Sequence, residues 1–377
     1  MDQRQRASLA SAGIVGIFLL VQLGALALVG PFQDAGYQAV EDPQDPTNSL
    51  VYVVLILVMT VFMLAIIRYD VDWLLRLVLV GTGAYIGLYV FGVLFPSVVS
   101  VTVAEIDVNV LAWVAAAALG VALWVYPEWY VIDAAGVVMG AGASGLFGIS
   151  FGILPALILL VVLAVYDAIS VYGTEHMLTL ASGVMDLKVP IVLVVPLTLS
   201  YSYLDAEMPD PHEGEGEPDG DGSDGDESDG DESDGDGSDG DESDGDESDG
   251  DGSDGDGSDG GESDGDGSDG DEFLDRQALF IGLGDAVIPT VLVASAAFFA
   301  PDSVPTYDLP GIAATLPALT AMVGTTVGLV ILLGMVLKGR AHAGLPLLNG
   351  GTIAGYLVGA LASGMTLVDA LGLAPYV

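Results

Sequence analysis

Long apolar runs recur along the chain, separated by short polar, glycine- or proline-bearing stretches. They fall at about Ala12–Val29, Leu50–Ile67, Leu77–Phe95, Val108–Tyr126, Val131–Ile149, Ile153–Tyr172, Ala278–Ala300, Ile312–Leu337 and Leu345–Leu367. Each approaches the ~20 residues a helix needs to cross the hydrocarbon core of a bilayer. The pattern predicts an all-α polytopic membrane protein with about nine transmembrane helices. The fifth and sixth runs are nearly continuous and are divided near Gly152 and Pro155, because one helix over both would far exceed the bilayer. The stretch Val189–Tyr203 is also apolar, but it is 15 residues long and carries Pro190 and Pro196. It reads as a short interfacial or re-entrant piece.

The basic residues orient this scheme. With Arg4 and Arg6 in the cytoplasm, nine crossings bring Arg68, Arg76, Lys188, Arg276, Lys338 and Arg340 to the same side, as the positive-inside rule requires. A crossing at Val189–Tyr203 would move Arg276, Lys338 and Arg340 outside. The expected location is the cell membrane, with the N-terminus cytoplasmic and the C-terminus external. Arg4 and Arg6 ahead of the first run, and Ala25-Leu26-Ala27 within it, also resemble a signal peptide. In a chain with this many spans the run is read as an uncleaved first helix.

Charge changes the picture between the sixth and seventh runs. Of 52 acidic residues in the chain, 33 lie between Asp205 and Glu272, where no Lys or Arg occurs. From Ser223 a five-residue Ser-Asp-Gly-type repeat continues through Ser268 without an apolar residue. Such a segment has nothing to bury against its ordering entropy, and it is expected to be a disordered cytoplasmic spacer, dispensable for chemistry. A calcium-loop reading fails on spacing, since Asp239 follows Asp234-Gly-Asp236-Gly-Ser238 where the loop wants other groups. The chain thus divides into 1–204 (six spans and the short apolar piece), 205–272 (acidic loop) and 273–377 (three spans). Such acidity suits a salt-accumulating halophile, whose cytoplasm screens the self-repulsion.

Composition excludes other classes. Apolar runs in series rule out a soluble globular enzyme. Eight basic residues against 52 acidic ones cannot form a nucleic-acid-binding face. The absence of Cys removes disulfides, thiol nucleophiles and Cys-ligated zinc.

An ionisable residue inside a span is a candidate for function. Asp167 lies in the sixth run, in Ala164-Val165-Tyr166-Asp167-Ala168, and Asp285 in the seventh, in Gly282-Leu283-Gly284-Asp285. At helical rise Asp285 is about 13 Å past Arg276, and Asp167 is about 9 Å before Gly173. Both carboxylates then sit at similar depth in the cytoplasmic half, with no Lys or Arg in a span to neutralise them. Two close carboxylates share one proton, which is what an aspartic protease uses: one activates water and the other hydrogen-bonds the scissile carbonyl. No metal or cofactor is needed. Gly282 and Gly284 open the backbone beside Asp285 to close approach, and Pro289 leaves the Asp285 carbonyl without its helical donor. Ala343-Gly344-Leu345-Pro346, after Lys338 and Arg340, opens the last span from the same side, and free backbone groups there are suited to pairing with an extended peptide.

Tyr166-Asp167 in one span, Gly282-Leu283-Gly284-Asp285 in the next, and Leu345-Pro346 opening the last resemble the presenilin and signal peptide peptidase family of intramembrane aspartyl proteases. The order of the motifs, the nine spans and the hydrophilic loop between the Asp-bearing spans agree over nearly the whole chain apart from the acidic loop. The resemblance implies cleavage of transmembrane or signal peptides in the bilayer by Asp167 and Asp285. Tyr166, Gly282, Leu283, Gly284, Gly344, Leu345 and Pro346 would shape the site. One departure is that Ala343 and Gly344 stand where the family's Pro-Ala-Leu motif has Pro and Ala.

Two other readings use the same carboxylates. A type IV prepilin-like leader peptidase also has an aspartate dyad, without needing nine spans or Leu345-Pro346. A cation channel or transporter would use the aspartates as ion ligands, and would show matched halves. Gly140-Ala-Gly142-Ala-Ser-Gly145 matches a dinucleotide fingerprint on paper, but inside a span it reads as helix packing. Glu175-His176 belongs to no zinc-protease motif; His176 and His342 read as interfacial, and Asp133 and Asp369 as solvated helix-end residues.

Overall fold

The computed structural model describes residues 3–69, 71–96, 100–103, 106–173, 192–197, 201–202, 278–309, 312–337 and 343–376. The acidic loop, Lys188, Arg276, Lys338, Arg340, His176 and His342 lie outside the described residues. Nine apolar helices occur among those described: α1 (Gln3–Asp34), α2 (Thr47–Arg68), α3 (Asp72–Leu94), α4 (Val110–Val125), α5 (Trp129–Ser150), α6 (Ile153–Gly173), α7 (Leu283–Phe298), α8 (Leu316–Val336) and α9 (Gly344–Ala362). Each coincides with one apolar run. Seven are long enough to cross a bilayer alone, and α4 and α7 are shorter at 16 residues each. A four-residue helix, α10 (Leu367–Ala370), follows the break at Gly364, whose φ of +84° ends α9 in the left-handed conformation that glycine adopts without strain.

Three antiparallel hairpins add to the helices. β1 (Ser100–Val103) pairs with β2 (Ile106–Asn109), β3 (Val192–Pro196) with β4 (Ala278–Gly282), and β5 (Thr306–Leu309) with β6 (Ile312–Thr315). These correct two helix starts. The seventh run begins as strand β4, and its helix starts only at Leu283, because Val192–Pro196 offers Ala278–Gly282 an antiparallel partner and Gly282 and Gly284 resist helix. The eighth starts as β6; Thr315 then caps α8, its side chain accepting the Ala318 N–H at 3.3 Å, with Pro317 in the first turn. The 13 Å depth for Asp285 assumed helix from Arg276 onward, and an extended segment occupies that stretch instead. The short apolar piece is no span: its described core is β3.

Alternating helices place their connections at two ends. At one end Arg76, in the first turns of α3, donates to the Trp124 carbonyl at the end of α4 at 2.7 Å and lies over its ring at 5.1 Å. At the other end, Gly152 N–H donates to the Pro43 carbonyl at 2.7 Å, Ser49 donates to the Pro155 carbonyl at 2.7 Å, and Tyr376 reaches the Gln44 carbonyl at 2.9 Å. The described C-terminal residues therefore sit at the end opposite the start of α9.

Helix α5 is the central element. Of its apolar window 72% is buried, against 11% for α2, whose large side chains such as Val51, Leu55 and Val61 face outward. Small residues allow this. A Cβ on Gly140 would lie 3.2 Å from Val21 of α1, one on Gly145 would lie 3.1 Å from Phe32, and one on Gly148 would run into Ala294 of α7. The glycine-rich stretch is helix packing, as its place inside a span required. Helix α1 contributes Phe18, Val21 and Phe32 to the core.

The tightest pair is α8 with α9. Gly351, Gly355 and Gly359 recur every fourth residue on α9 and meet Thr320, Gly324 and Gly328 of α8 backbone to backbone. A Cβ on Gly355 would run into the Thr320 carbonyl, and one on Gly324 into that of Gly351. Thr325 and Thr352 add a buried hydroxyl–hydroxyl hydrogen bond at 2.7 Å across the pair.

Candidate active site

Strand β3 lies between α1 and α5. Leu193 seats over Gly136, where a Cβ would lie 2.7 Å from its Cδ2, and Val195 over Gly13 at 3.1 Å. Across the ladder Val192 pairs with Gly282, the last residue of β4 and the N-cap of α7. Asp285 therefore stands in the first turn of α7, at its third helical position. A carboxylate there faces the unpaired N–H groups and the positive end of the helix dipole. Leu283, two residues earlier, is 9% exposed and packs beside Gly136 and Gly140.

The second carboxylate arrives from α6 and meets the start of α9. The Leu345 N–H donates to Asp167 Oδ2 at 3.0 Å. Leu345 is the second helical residue of α9, so its N–H is one of the donors a helix start leaves without an internal partner. The adjoining Gly344 lies against the other aspartate: a Cβ there would be 3.5 Å from Asp285 Oδ2 and 3.4 Å from Leu332 Cδ2. The peptide linking Gly344 to Leu345 thus touches both carboxylates, which interact electrostatically across it. Two helix N-termini, of α7 and α9, converge on this pair.

The other residues singled out in the sequence fall around it unequally. A Cβ on Gly282 would lie 3.5 Å from Asp285 Oδ2, whereas Gly284 is exposed with open space beside it. Pro346 takes the third helical position of α9, where a missing N–H costs no helical bond. Ala343 and Gly344 have a local account: Ala343 is buried, and a methyl group on Gly344 would be in ordinary van der Waals contact. Leu345 and Pro346 are helical, so they offer no extended edge to a peptide; the extended element at this end is the β3–β4 pair. Tyr166 is 46% exposed and follows Val165 and precedes Ile169 on the outward face of α6.

Two residues beside the site were not legible as such. Asn349, fully buried on α9, donates from Nδ2 to the Leu160 carbonyl of α6 at 2.9 Å. It lies one turn after Leu345, and Leu160 lies two turns before Asp167. The two bonds form successive rungs between antiparallel α6 and α9. Nothing in the sequence marked Asn349, because its partner is a backbone carbonyl. Asn349→Leu keeps the volume and removes the donor. It should lower the rate about tenfold, the size of one buried hydrogen bond acting on the neighbouring Asp167–Leu345 contact, with KM little changed. Steady-state kinetics on a transmembrane peptide would check this; an unaltered rate would separate Asn349 from the site. The other residue is Asp133, expected to be solvated but half-buried on α5, where Oδ1 accepts the Val194 N–H of β3 at 2.8 Å. Asp369 is exposed, as expected of a helix-end residue, and bonds to Thr366 at 2.6 Å.

The model of the family described as "Signal-peptide peptidase, presenilin aspartyl protease" matches residues 15–365, which include both aspartates and the start of α9. The chain belongs to that family. Two solved structures of a presenilin family intramembrane aspartate protease are similar to it. One, in the C222 space group, is 29% identical with a TM-score of 0.55, over 93% of this chain and 99% of the other. The other, in the P2 space group, is 30% identical with a TM-score of 0.52, over 93% of this chain and 97% of the other. A search of curated proteins gave no match. The chain is a multi-pass, presenilin-family intramembrane aspartyl protease, which sets aside the leader-peptidase and channel readings.

Proposed function

We propose that Asp167 and Asp285 are the catalytic dyad of this presenilin-family protease, of the Gly-x-Gly-Asp type, and that it hydrolyses peptide bonds of transmembrane or signal peptides. The observation that carries this is the Gly344-Leu345 peptide, which donates to Asp167 and lies against Asp285. The dyad works with one shared proton. The ionised carboxylate takes a proton from water as its oxygen attacks the scissile carbonyl carbon, and the protonated one hydrogen-bonds the carbonyl oxygen. Proton return to the leaving nitrogen then breaks the C–N bond. The Leu345 N–H holds one Asp167 oxygen in place through the cycle, leaving the other oxygen to the substrate.

By the positive-inside rule, the N-terminus, the acidic loop and this site belong to the cytoplasmic side, and the C-terminus to the outside. The acidic loop then spaces β3 from β4 without entering the chemistry, in a host whose cytoplasm is salt-rich.

A helical substrate hides its carbonyls in backbone hydrogen bonds, so the target bond must unwind before water attacks. Unwound groups in a low-dielectric setting need partners, and the site has a two-stranded sheet leading directly into Asp285. Cleavage is therefore expected in the cytoplasmic half of the substrate's span, near Gly or other helix-weakening residues. The test is a set of transmembrane peptides in which one such residue is moved along the span, with products read by mass spectrometry. Cut sites should follow the residue within that half. Equal cleavage of uniformly Leu-rich spans, or cuts in the outer half, would overturn this reading.

A further inference from the structure

The β3–β4 pair is short, and its strands are connected through the long acidic stretch. Two-stranded sheets of this length are marginal alone, so something must hold this one where Asp285 needs it. The only rigid element in polar contact with β3 among the described residues is α5. Glu128, its N-cap residue, is 6% exposed and accepts from Ser202 Oγ at 2.8 Å, just beyond β3. Asp133, just over one turn further on, accepts the Val194 N–H in the middle of the strand at 2.8 Å.

The register makes the second bond informative. In an antiparallel pair, residues alternate between exchanging both backbone bonds with their partner and pointing both groups away. The Val194 N–H points to Asp133, so Val194↔Phe280 is a pair of the second kind, and Leu193↔Ile281 and Val195↔Leu279 carry the ladder. Asp133 therefore occupies the outer edge of β3 at its central residue. It fixes the strand against α5 and removes Val194 as a docking point for another strand. From Val194 the path to the reacting group is short: two residues along β3 to Val192, across to Gly282, then three residues on to Asp285.

We propose that Asp133 is a positioning residue for the protease: its hydrogen bond to the Val194 N–H fixes the β3–β4 pair on α5 and so sets both the place of Asp285 and the register of the bond that is cut. This rests on Asp285 being catalytic, but the hydrogen bond and its effect on the strand are measurable without turnover. It needs the acceptor oxygen of Asp133, not its charge. Asp133→Asn keeps an oxygen at the same position; Asp133→Leu keeps the volume and removes the acceptor. Val194→Pro removes the donor while leaving Asp133 in place, at a strand position whose N–H does not serve the ladder.

The experiment uses the full chain in detergent or lipid, with two readouts. Amide hydrogen exchange over residues 192–196 reports the strand, and mass spectrometry of the products of one transmembrane peptide reports the cut. Asp133→Leu and Val194→Pro should each speed exchange in that segment about tenfold, in line with the loss of one charge-assisted hydrogen bond. Both should spread the products over neighbouring bonds and lower kcat/KM. The double variant should be no worse than either alone, because both remove one bond. Asp133→Asn should restore protection and the single cut. The proposal is overturned if Asp133→Leu leaves strand protection unchanged, or if Asp133→Asn behaves like Asp133→Leu. It is also overturned if the strand loosens while cut position and kcat/KM stay as in the parent. Should Asp133→Leu fail to fold, Val194→Pro and Asp133→Asn decide between the same outcomes. Loss of all cleavage in the parent protein would count against the dyad, and the exchange readout would still decide the strand.

Discussion

Asp167→Ala and Asp285→Ala should each slow peptide hydrolysis at least ~100-fold, the lower end for a lost general acid or base. The expectation follows from their placement. Each is held by a different helix start, both adjoin the Gly344-Leu345 peptide, and each has a separate part to play in one proton cycle. Because the two act as a unit, the double variant should be little slower than either single. The rate of the parent should be bell-shaped in pH. A second proton on the dyad removes the base on the acid side, and loss of the shared proton removes the acid on the alkaline side. Single-turnover rates on one peptide across pH check all three statements. Near-parent turnover by either alanine variant, in protein shown to be folded and inserted, would dismiss the dyad.

The second large effect is on stability and lies away from the carboxylates. Gly355→Ala or Gly324→Ala should destabilise the bundle by about 1–3 kcal/mol, the usual range for forcing a methyl group into filled space. A Cβ at either position meets a main-chain carbonyl, which cannot rotate aside as a side-chain end can. The helices must separate, and α9 carries the Leu345 N–H that holds Asp167. Activity should therefore fall with melting temperature in these variants. Gly350→Ala, where nothing lies within 4 Å of the added carbon, should leave both unchanged. Thermal unfolding in detergent distinguishes the cases. An unshifted melt for Gly355→Ala would mean that the close approach of α8 and α9 contributes little.

Much of the architecture was legible in the sequence, because a bilayer restricts what a chain can do. A backbone in hydrocarbon must satisfy its own hydrogen bonds, so a run such as Leu50–Ile67 or Leu345–Leu367 has little choice but helix. The nine runs and the placement of Asp167 and Asp285 near one end of adjacent Asp-bearing spans followed from length, spacing and the basic residues alone. The glycine-rich stretch of α5 was readable for the same reason. The α8–α9 glycines were present as a period of four but gained meaning only opposite Thr320, Gly324 and Gly328, since a small residue defines a close approach only once its partner is known.

Tertiary structure decided the rest. Ala278–Gly282 reads as the start of an apolar helix, and it is a strand because Val192–Pro196, far away in sequence, supplies a ladder. Leu345-Pro346 reads as an irregular opening, and it is helix because its first free N–H finds Asp167. Asp133 reads as a solvated helix-end residue, and it is half-buried because the Val194 N–H needs an acceptor away from β4. In each case the deciding partner is a backbone group. Every residue carries the same N–H and C=O, so composition and periodicity cannot mark which of them a distant side chain or strand will meet. The sequence determined which segments enter the membrane and which carboxylates go with them; only the packed chain determined which backbone groups hold those carboxylates together.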